Sequence, residues 1–210
     1  MRATVGDGNV GRNESTRIEV CGGIASGKTT FARVLAKTGM ESAFERFRSN
    51  PFWRDFCANP TSCSFETEIV FLLQHYHAVK SAASTSRIVC DFSFLLDRAY
   101  ADLNLKGSWR SVFDAVYEEV VSELGSPRVL VYLHCNPRTQ LERIKARGRR
   151  EERSLSIRYI ADVNAAVRRS ISRLDRKVRV LSLDSDLRNF ARSRLCQREV
   201  SAAVLALYDQ

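Results

Sequence analysis

The 210-residue sequence predicts an α/β fold, with a parallel sheet of five strands and helices on both faces. Short apolar or β-branched runs alternate along the chain with longer amphipathic stretches, which is the pattern of consecutive strand–helix–strand units. The short runs are also continuously apolar, as expected for strands that are covered on both faces. The predicted strands are 17–21, 42–45, 87–91, 128–134 and 178–183.

The stretches between these strands predict helices near 28–38, 51–58, 64–84, 94–104, 108–124, 137–147, 155–176 and 187–208. In the helix at 64–84, apolar side chains recur at helical spacing. Glu68 and His75 lie on the margin of this stripe and point in nearly the same direction. Taken alone, such a pair is more often exposed or capping than functional. The face that we expect to turn toward the core consists of Phe65, Ile69, Leu72, Leu73, Tyr76, Val79 and Ala83.

Composition narrows the class of protein. Apolar residues make up 44% of the chain and charged residues 27%, which is ordinary for a globular protein. No apolar run approaches the roughly 20 residues that cross a bilayer, and the polar residues 1–16 predict a disordered tail, not a signal peptide. We therefore expect one domain at 17–210 in the cytoplasm, with no membrane partner. Six cysteines without a CxxC pair predict buried free thiols in a reducing compartment, not zinc ligands.

The net charge of +9 is concentrated late in the chain, because the segment from Arg138 to Arg179 holds 14 Lys or Arg against 5 Asp or Glu. Such a block can bind nucleic acid. It lacks the interleaved aromatic residues of a single-strand-binding surface. We expect a solvated helix face and a cluster that handles one polyphosphate, with no nucleic-acid partner.

Residues 22–29, GGIASGKT, match the pattern GxxxxGK(S/T) between a predicted strand and a predicted helix. Glycines let the backbone N–H groups turn toward phosphate oxygens, and the helix that follows adds its positive dipole end. In this arrangement Lys28 reaches the β and γ phosphates and Thr29 binds Mg²⁺. The fold is therefore predicted to be P-loop NTPase-like, with ATP and Mg²⁺ as cofactors. The predicted nucleotide-binding residues are Gly22, Gly23, Ile24, Ala25, Ser26, Gly27, Lys28, Thr29 and Thr30.

Phosphoryl transfer to an alcohol also needs a carboxylate near the acceptor, a metal ligand and positive charge over the transferred group. Glu45 and Asp91 end the second and third predicted strands, at the sheet edge where parallel sheets bind ligands. Arg143 and Arg147 are four residues apart and share a helix face. Arg149 follows a glycine that breaks this helix, so that an Arg-rich lid is predicted at about 143–154.

These segments together resemble the deoxynucleoside kinase family, especially its bacterial deoxyadenosine/deoxyguanosine kinase branch, over about residues 17 to 190. The resemblance implies ATP- and Mg-dependent transfer of the γ-phosphoryl group to the 5′-hydroxyl of a deoxynucleoside. It also implies a homodimer, because family members are usually dimers that pack through helices matching about 64–84 and 94–124. It rests on the P-loop, on Glu45 followed by Asn50-Pro51-Phe52, and on the segments SFETEIVFLLQHY, CDFSFLLDRAYADLNL, ERIKARGRREE followed by SIRYI, and LDSDLRNF.

The resemblance also implies roles for single residues. Glu45 is similar to the general base and Asp91 to the acidic Mg²⁺ partner. The lid arginines around the phosphates match Arg143, Arg147 and Arg149. The remaining matches are Asp97 facing the base, Glu152 at the sugar 3′-hydroxyl, and residues 184–190, with Asp186, beside the donor adenine.

At four positions the chain departs from the family pattern. The base-reading Gln is Glu68 and the Arg seven residues later is His75. A Tyr at the 3′-hydroxyl is Cys57, and the Pro after the general base is Arg46. An ionised Glu68 only accepts hydrogen bonds, which suits the two adjacent donors of guanine, so one hypothesis is a preference for deoxyguanosine. The alternative is that Glu68 is protonated, or paired with Lys80 or another cation, and does not contact the base.

Other functions stay open on the sequence alone. A nucleoside monophosphate kinase would use Arg46, Arg48 and Arg54 for the phosphate of its acceptor. The substituted family positions fit a nucleotide-binding regulator without turnover. The basic block fits a kinase that acts on nucleic-acid ends.

Overall fold

A computed structural model describes residues 16–82 and 87–210. Within these ranges, five strands form one sheet in the order β2-β3-β1-β4-β5, and every neighbouring pair is parallel. The predicted five-stranded parallel sheet is thus confirmed. The strands are β1 (Arg17–Cys21), β2 (Glu41–Ala43), β3 (Ile88–Cys90), β4 (Val129–His134) and β5 (Arg179–Asp184).

Eight α-helices connect and cover these strands in the described ranges: α1 (Lys28–Ala36), α2 (Trp53–Ala58), α3 (Ser64–Lys80), α4 (Phe94–Asn104), α5 (Gly107–Leu124), α6 (Pro137–Arg147), α7 (Ile157–Ser172) and α8 (Arg194–Tyr208). Short 3₁₀ turns cover Phe47–Ser49, Pro60–Ser62 and Glu151–Ser154. Strand β4 shows how the two faces of the sheet are covered. Val131 belongs to the core under α1 and α8, whereas Leu130 belongs to the core under α4 and α7. Successive residues of a strand point to opposite faces, so helices pack on both sides as predicted.

The helix that leads into the predicted lid has a clear start and end. The Asn136 side chain accepts a hydrogen bond from the Arg138 N–H, and Pro137 occupies the first turn, both of which favour helix initiation. The helix ends at Gly148, which has a left-handed φ of +67°. The chain therefore turns sharply between Arg147 and Arg149, where the sequence predicted a break.

Several predicted boundaries are wrong. Strand β2 ends at Ala43, so Glu45 lies in the loop that follows it. The last helix begins at Arg194 and not at 187, because the Asp184 side chain accepts the N–H groups of Asp186 and Leu187 and holds them in a turn. Helix α3 ends at Lys80.

The predicted core face of α3 also needs correction. Leu73 is 46% exposed, while Glu68 and His75 are each only 4% exposed, so the buried stripe is rotated toward the two polar residues. The interpretation of Glu68 and His75 as exposed or capping side chains is therefore wrong. Ala83 lies outside the described residues.

Thr16, the last residue of the predicted tail, is bonded to the folded part of the chain. Residues 1–15 of the predicted tail lie outside the described residues, but the Thr16 carbonyl accepts hydrogen bonds from the Ile88 N–H at 3.3 Å and the Tyr208 hydroxyl at 3.1 Å. All six cysteines are free, five of them buried and Cys196 partly buried, which confirms the expected free thiols. Over the described ranges, every helix is too short or too polar to span a bilayer.

Candidate active site

A cavity of about 800 Å³ opens at the carboxyl edge of the sheet. Its walls come from the loop between β1 and α1, the loops after β2, β3 and β5, helices α3 and α4, and the segment that follows α6. Ligands of parallel sheets bind at this edge. The predicted site residues that line the cavity are Ile24, Ala25, Gly27, Lys28, Thr29, Thr30, Glu45, His75, Asp91, Asp97, Arg143, Arg147, Arg149, Glu152 and Asp186.

The loop before α1 is tightly curled. Ala25 has a φ of +58°, an unfavourable conformation for a residue with a side chain, and Gly27 has a φ of +104°. A Cβ at Gly27 would lie 3.0 Å from the Phe190 ring. The Lys28 ammonium donates to the carbonyls of Gly22 at 2.9 Å and Gly23 at 3.2 Å. Curled backbone, a helix N-terminus and a lysine form a concave, positive site that fits a polyphosphate.

Asp91 joins the phosphate loop to the loop after β2. Its Oδ2 accepts the Thr29 hydroxyl at 2.6 Å, and its Oδ1 accepts the backbone N–H of Glu45 at 2.5 Å. One carboxylate therefore fixes the spacing between the loop that receives the polyphosphate and the residue predicted to act as base. Hydroxyl and carboxylate oxygens are also the ligands that Mg²⁺ takes at phosphate sites, where it keeps several waters. The described residues contain no larger cluster of metal-binding side chains.

Glu45 lines the cavity. Burial raises the pKa of its carboxyl group, while the charges of His75 and Lys28 oppose the rise. A carboxylate with a raised pKa accepts a proton more readily than an exposed one. The position and the shift both suit a general base.

His75 and Asp97 form a buried pair that also lines the cavity. The Nδ1 atom of His75 lies 2.9 Å from Oδ2 and 3.1 Å from Oδ1 of Asp97, and the imidazole stacks on Phe92 with ring centroids 4.0 Å apart. Burial lowers the pKa of His75, but the charge and hydrogen bond of Asp97 outweigh it, so that the net shift is upward. Trp53, Phe71 and Phe92 also line the cavity, so aromatic side chains lie beside the polar pair, which suits a planar base.

Glu152 connects the two lid arginines. It is 2% exposed and accepts from Nε of Arg147 at 2.6 Å and from Nη1 of Arg149 at 3.1 Å. The Arg149 guanidinium also lies 4.1 Å from the Phe47 ring centroid. The segment from Arg147 to Glu152 therefore contacts the loop after β2 and brings two guanidinium groups to the cavity.

Arg143 bonds a different part of the site from the other two arginines. Its guanidinium donates to the carbonyl of Ser185 at 2.7 Å and to the carbonyl of Ala25 at 3.3 Å. Asp186, 4.0 Å away, accepts the Asn136 N–H at 2.7 Å. Arg143 thus links the phosphate loop to the loop after β5 and presents one cation between them.

Five predicted residues do not line the cavity: Gly22, Gly23, Ser26, Cys57 and Glu68. Cys57 is buried, and its carbonyl accepts the Ser154 hydroxyl. Glu68 accepts from Nδ2 of Asn104 at 2.7 Å, and burial raises its pKa to about 8. Lys80, the proposed partner of Glu68, instead pairs with Glu123 at 2.8 Å. The structure thus favours a protonated Glu68 behind the cavity wall, and the argument from an ionised carboxylate that faces guanine loses its basis.

Other cavity residues escaped the sequence analysis, among them Arg33, Phe71, Phe92 and Tyr100. Phe71 and Tyr100 lie on helices, where an aromatic side chain gives the same sequence pattern whether it faces the core or a cavity, so no signal distinguished them. Gln140 and Asn164, buried beneath the phosphate loop, were also missed, although polar residues inside the apolar stripes of α6 and α7 were a usable signal.

The fold resembles that of solved kinases. Deoxyadenosine kinase from M. mycoides with bound dCTP superposes with a TM-score of 0.77 at 21% identity, over 90% of this chain and 98% of that one. The same enzyme with bound dATP gives 0.74 at 23% identity, over 90% and 99%. At this identity the likeness establishes the fold, which is that of a P-loop kinase.

Sequence comparison identifies the family. A model described as deoxynucleoside kinase matches residues 18–207. A deoxyadenosine kinase from Dictyostelium discoideum is 25% identical over 81% of this chain and 73% of its own. A deoxyguanosine kinase from Lactobacillus acidophilus is 28% identical over 64% of each chain. The chain belongs to the deoxynucleoside kinase family, whose members transfer a phosphoryl group to a nucleoside. The predicted family, fold and enzyme class are confirmed.

Proposed function

We propose that the protein transfers the γ-phosphoryl group of ATP, with Mg²⁺, to the 5′-hydroxyl of a purine deoxynucleoside. The observation that carries the proposal is the Asp91 carboxylate, which bonds Thr29 of the phosphate loop and the backbone of Glu45 at the same time. A donor phosphate and an acceptor hydroxyl would meet over this carboxylate. The purine is supported by the relatives, which are named deoxyadenosine and deoxyguanosine kinases.

Each side chain has a chemical task in this proposal. Glu45 accepts the proton of the 5′-hydroxyl as the oxygen attacks phosphorus. Lys28 and the lid residues Arg147 and Arg149 stabilise the negative charge on the transferred group. Thr29 and Asp91 would hold Mg²⁺, which would supply positive charge that neutralises the phosphate oxygens.

The nucleoside binds in the part of the cavity that is lined by Asp97 and His75. Asp97 and His75 form hydrogen bonds with the base while Phe92 and Phe71 contact its flat surface. Glu152, held by two arginines, is assigned to the sugar 3′-hydroxyl, so that nucleoside binding and lid position are linked. Asp186 and the residues up to Phe190 lie beside the donor adenine. Cys57 and Glu68 have no direct role in this proposal because they do not line the cavity.

The proposal includes a homodimer in the cytoplasm. Leu73 on α3 and two residues of α5, Trp109 and Val112, are 46%, 57% and 45% exposed, and the Trp109 ring lies 4.4 Å from that of Phe65. Large apolar side chains exposed together on neighbouring helices are typical of an interface. Sedimentation at micromolar concentration is expected to give twice the chain mass, and Trp109→Arg is expected to shift the protein toward monomer.

The proposed cytoplasmic location is supported by the six free cysteines, which fit a reducing compartment.

The direct test is a panel of deoxynucleosides, ribonucleosides and deoxynucleoside monophosphates with ATP and Mg²⁺, scored by product. The expected products are deoxyadenosine or deoxyguanosine 5′-monophosphate, with loss of turnover in Glu45→Gln. Phosphorylation of a monophosphate would identify a nucleoside monophosphate kinase. ATP binding without any product would identify a regulator.

A further inference from the structure

Two carboxamides lie directly beneath the phosphate loop, outside the cavity. Gln140 on α6 is fully buried, and its Nε2 donates to the Ile24 carbonyl at 2.6 Å. Asn164 on α7 is 6% exposed, and its Nδ2 donates to Oε1 of Gln140 at 2.6 Å and to the Cys135 carbonyl at 3.2 Å. The chain of bonds therefore runs from the end of β4, through α7 and α6, to the loop. Neither residue is placed in the chemistry described above.

The Ile24 carbonyl determines where the next N–H points. A trans peptide is planar, so the C=O of Ile24 and the N–H of Ala25 point in opposite directions. Because Gln140 holds this carbonyl toward the protein interior, the Ala25 N–H is turned toward the cavity, which both residues line. Backbone N–H groups turned in this way are the groups that bind phosphate in such loops.

The held peptide is one that would otherwise relax. Ala25 has a φ of +58°, which is unfavourable for a residue with a Cβ, and a rotated peptide would relieve it. The carboxamides also exclude a side chain at the neighbouring position. A Cβ at Gly23 would overlap Oδ1 of Asn164 and lie 2.7 Å from Nε2 of Gln140. The loop and the two carboxamides are packed in contact, so that movement of one displaces the others.

We propose that Gln140 and Asn164 are positioning residues that fix the Ile24–Ala25 peptide with its N–H toward the triphosphate. They act on the donor nucleotide and not on the nucleoside, since they contact the phosphate loop and do not line the cavity that His75 and Asp97 line. The inference rests on the proposed function, because it assigns ATP as the ligand of the loop. It adds to that function two side chains that keep a strained loop in its binding conformation.

The test measures steady-state kinetics of three variants alongside the wild type. Gln140→Met keeps the length of the side chain and removes both amide contacts. Asn164→Ser removes the donor to Gln140 and leaves the bond from Gln140 to Ile24. Val167→Ala is the matched control, because Val167 is fully buried about one turn further along α7 and belongs to the core under α4 and α7. If Gln140→Met is not recovered as folded protein, Asn164→Ser is compared with wild type and Val167→Ala in its place.

The expected result is a split between the two substrates. Gln140→Met should raise KM for ATP by about 10-fold or more, the scale of a buried hydrogen bond left unmade, while KM for the nucleoside changes less than about 2-fold. Asn164→Ser should give a smaller change with the same pattern. ATP should also raise the Tm of both variants less than it raises that of wild type or Val167→Ala.

Either of two outcomes would overturn the inference. One is a wild-type KM for ATP in every folded variant. The other is a parallel change in both KM values that Val167→Ala reproduces, which would make the carboxamides structural only. Absence of product from the wild type would count against the proposed function instead, and the effect of ATP on Tm would still test the carboxamides.

Discussion

Replacing Glu45 by glutamine isolates the proton-accepting role of this side chain. The variant keeps the shape of the residue, and the backbone N–H that Asp91 accepts at 2.5 Å is untouched, so the loop should keep its position. A positioned general base contributes about 10²–10⁴-fold to the rate, which is about 3–5 kcal/mol of barrier. We therefore expect kcat to fall by that factor, with KM for ATP nearly unchanged.

The pH profile adds a second measurement to the same experiment. The base must be ionised, and burial raises the pKa of Glu45. In wild type, kcat/KM should therefore decrease on acidification through a pKa above the ordinary carboxyl value, and Glu45→Gln should lose this acid limb. Glu41→Gln, in the preceding strand and exposed, is the matched control. A variant that retains more than about a tenth of wild-type kcat, with its acid limb intact, would refute the assignment of Glu45 as base.

Substitutions at three further positions test other parts of the site. Burial raises the pKa of Glu68 to about 8 from an ordinary 4.5, so the folded protein should lose stability as the pH rises between these values. In denaturant unfolding, Glu68→Gln should therefore be more stable than wild type by about a few kcal/mol at pH 8 and by less at pH 6. Its base preference should be unchanged. His75→Leu leaves Asp97 without its His75 partner and should raise the nucleoside KM by about 10-fold or more. His75→Arg should recover most of the lost affinity, since a guanidinium also pairs with the Asp97 carboxylate. Thr29→Val should raise the Mg²⁺ concentration for half-maximal rate by about 10-fold or more; an unchanged Mg²⁺ titration would place the metal elsewhere.

The sequence predicted the parts of the site whose chemistry depends on local spacing. The glycine-lysine-threonine segment needs a strand before it and a helix after it, and both are visible as short patterns in the chain. Asp91 directly after a buried strand was placed at the correct sheet edge for the same reason. Arg147 and Arg149 were placed in a lid because a glycine between them ends a helix.

Contacts between distant segments were not predictable in this way. Glu68 and His75 look alike on one margin of α3, but only tertiary packing decides that His75 meets Asp97 at the cavity and Glu68 meets Asn104 behind it. The start of α8 was misplaced because the Asp184 side chain captures backbone N–H groups that periodicity alone assigns to a helix. Gln140 appears in the sequence as one polar residue in a helix, and its role depends on a carbonyl 116 positions earlier.

A crystal structure with Mg²⁺, a non-hydrolysable ATP analogue and a deoxynucleoside tests the central claim most directly. We expect the γ-phosphate against Lys28, with the metal on Thr29 and Asp91. The 5′-oxygen of the nucleoside should lie about 2.6–3.2 Å from the Glu45 carboxylate and face the γ-phosphorus. A nucleotide bound away from the phosphate loop, or a 5′-oxygen that turns away from Glu45, would contradict the account.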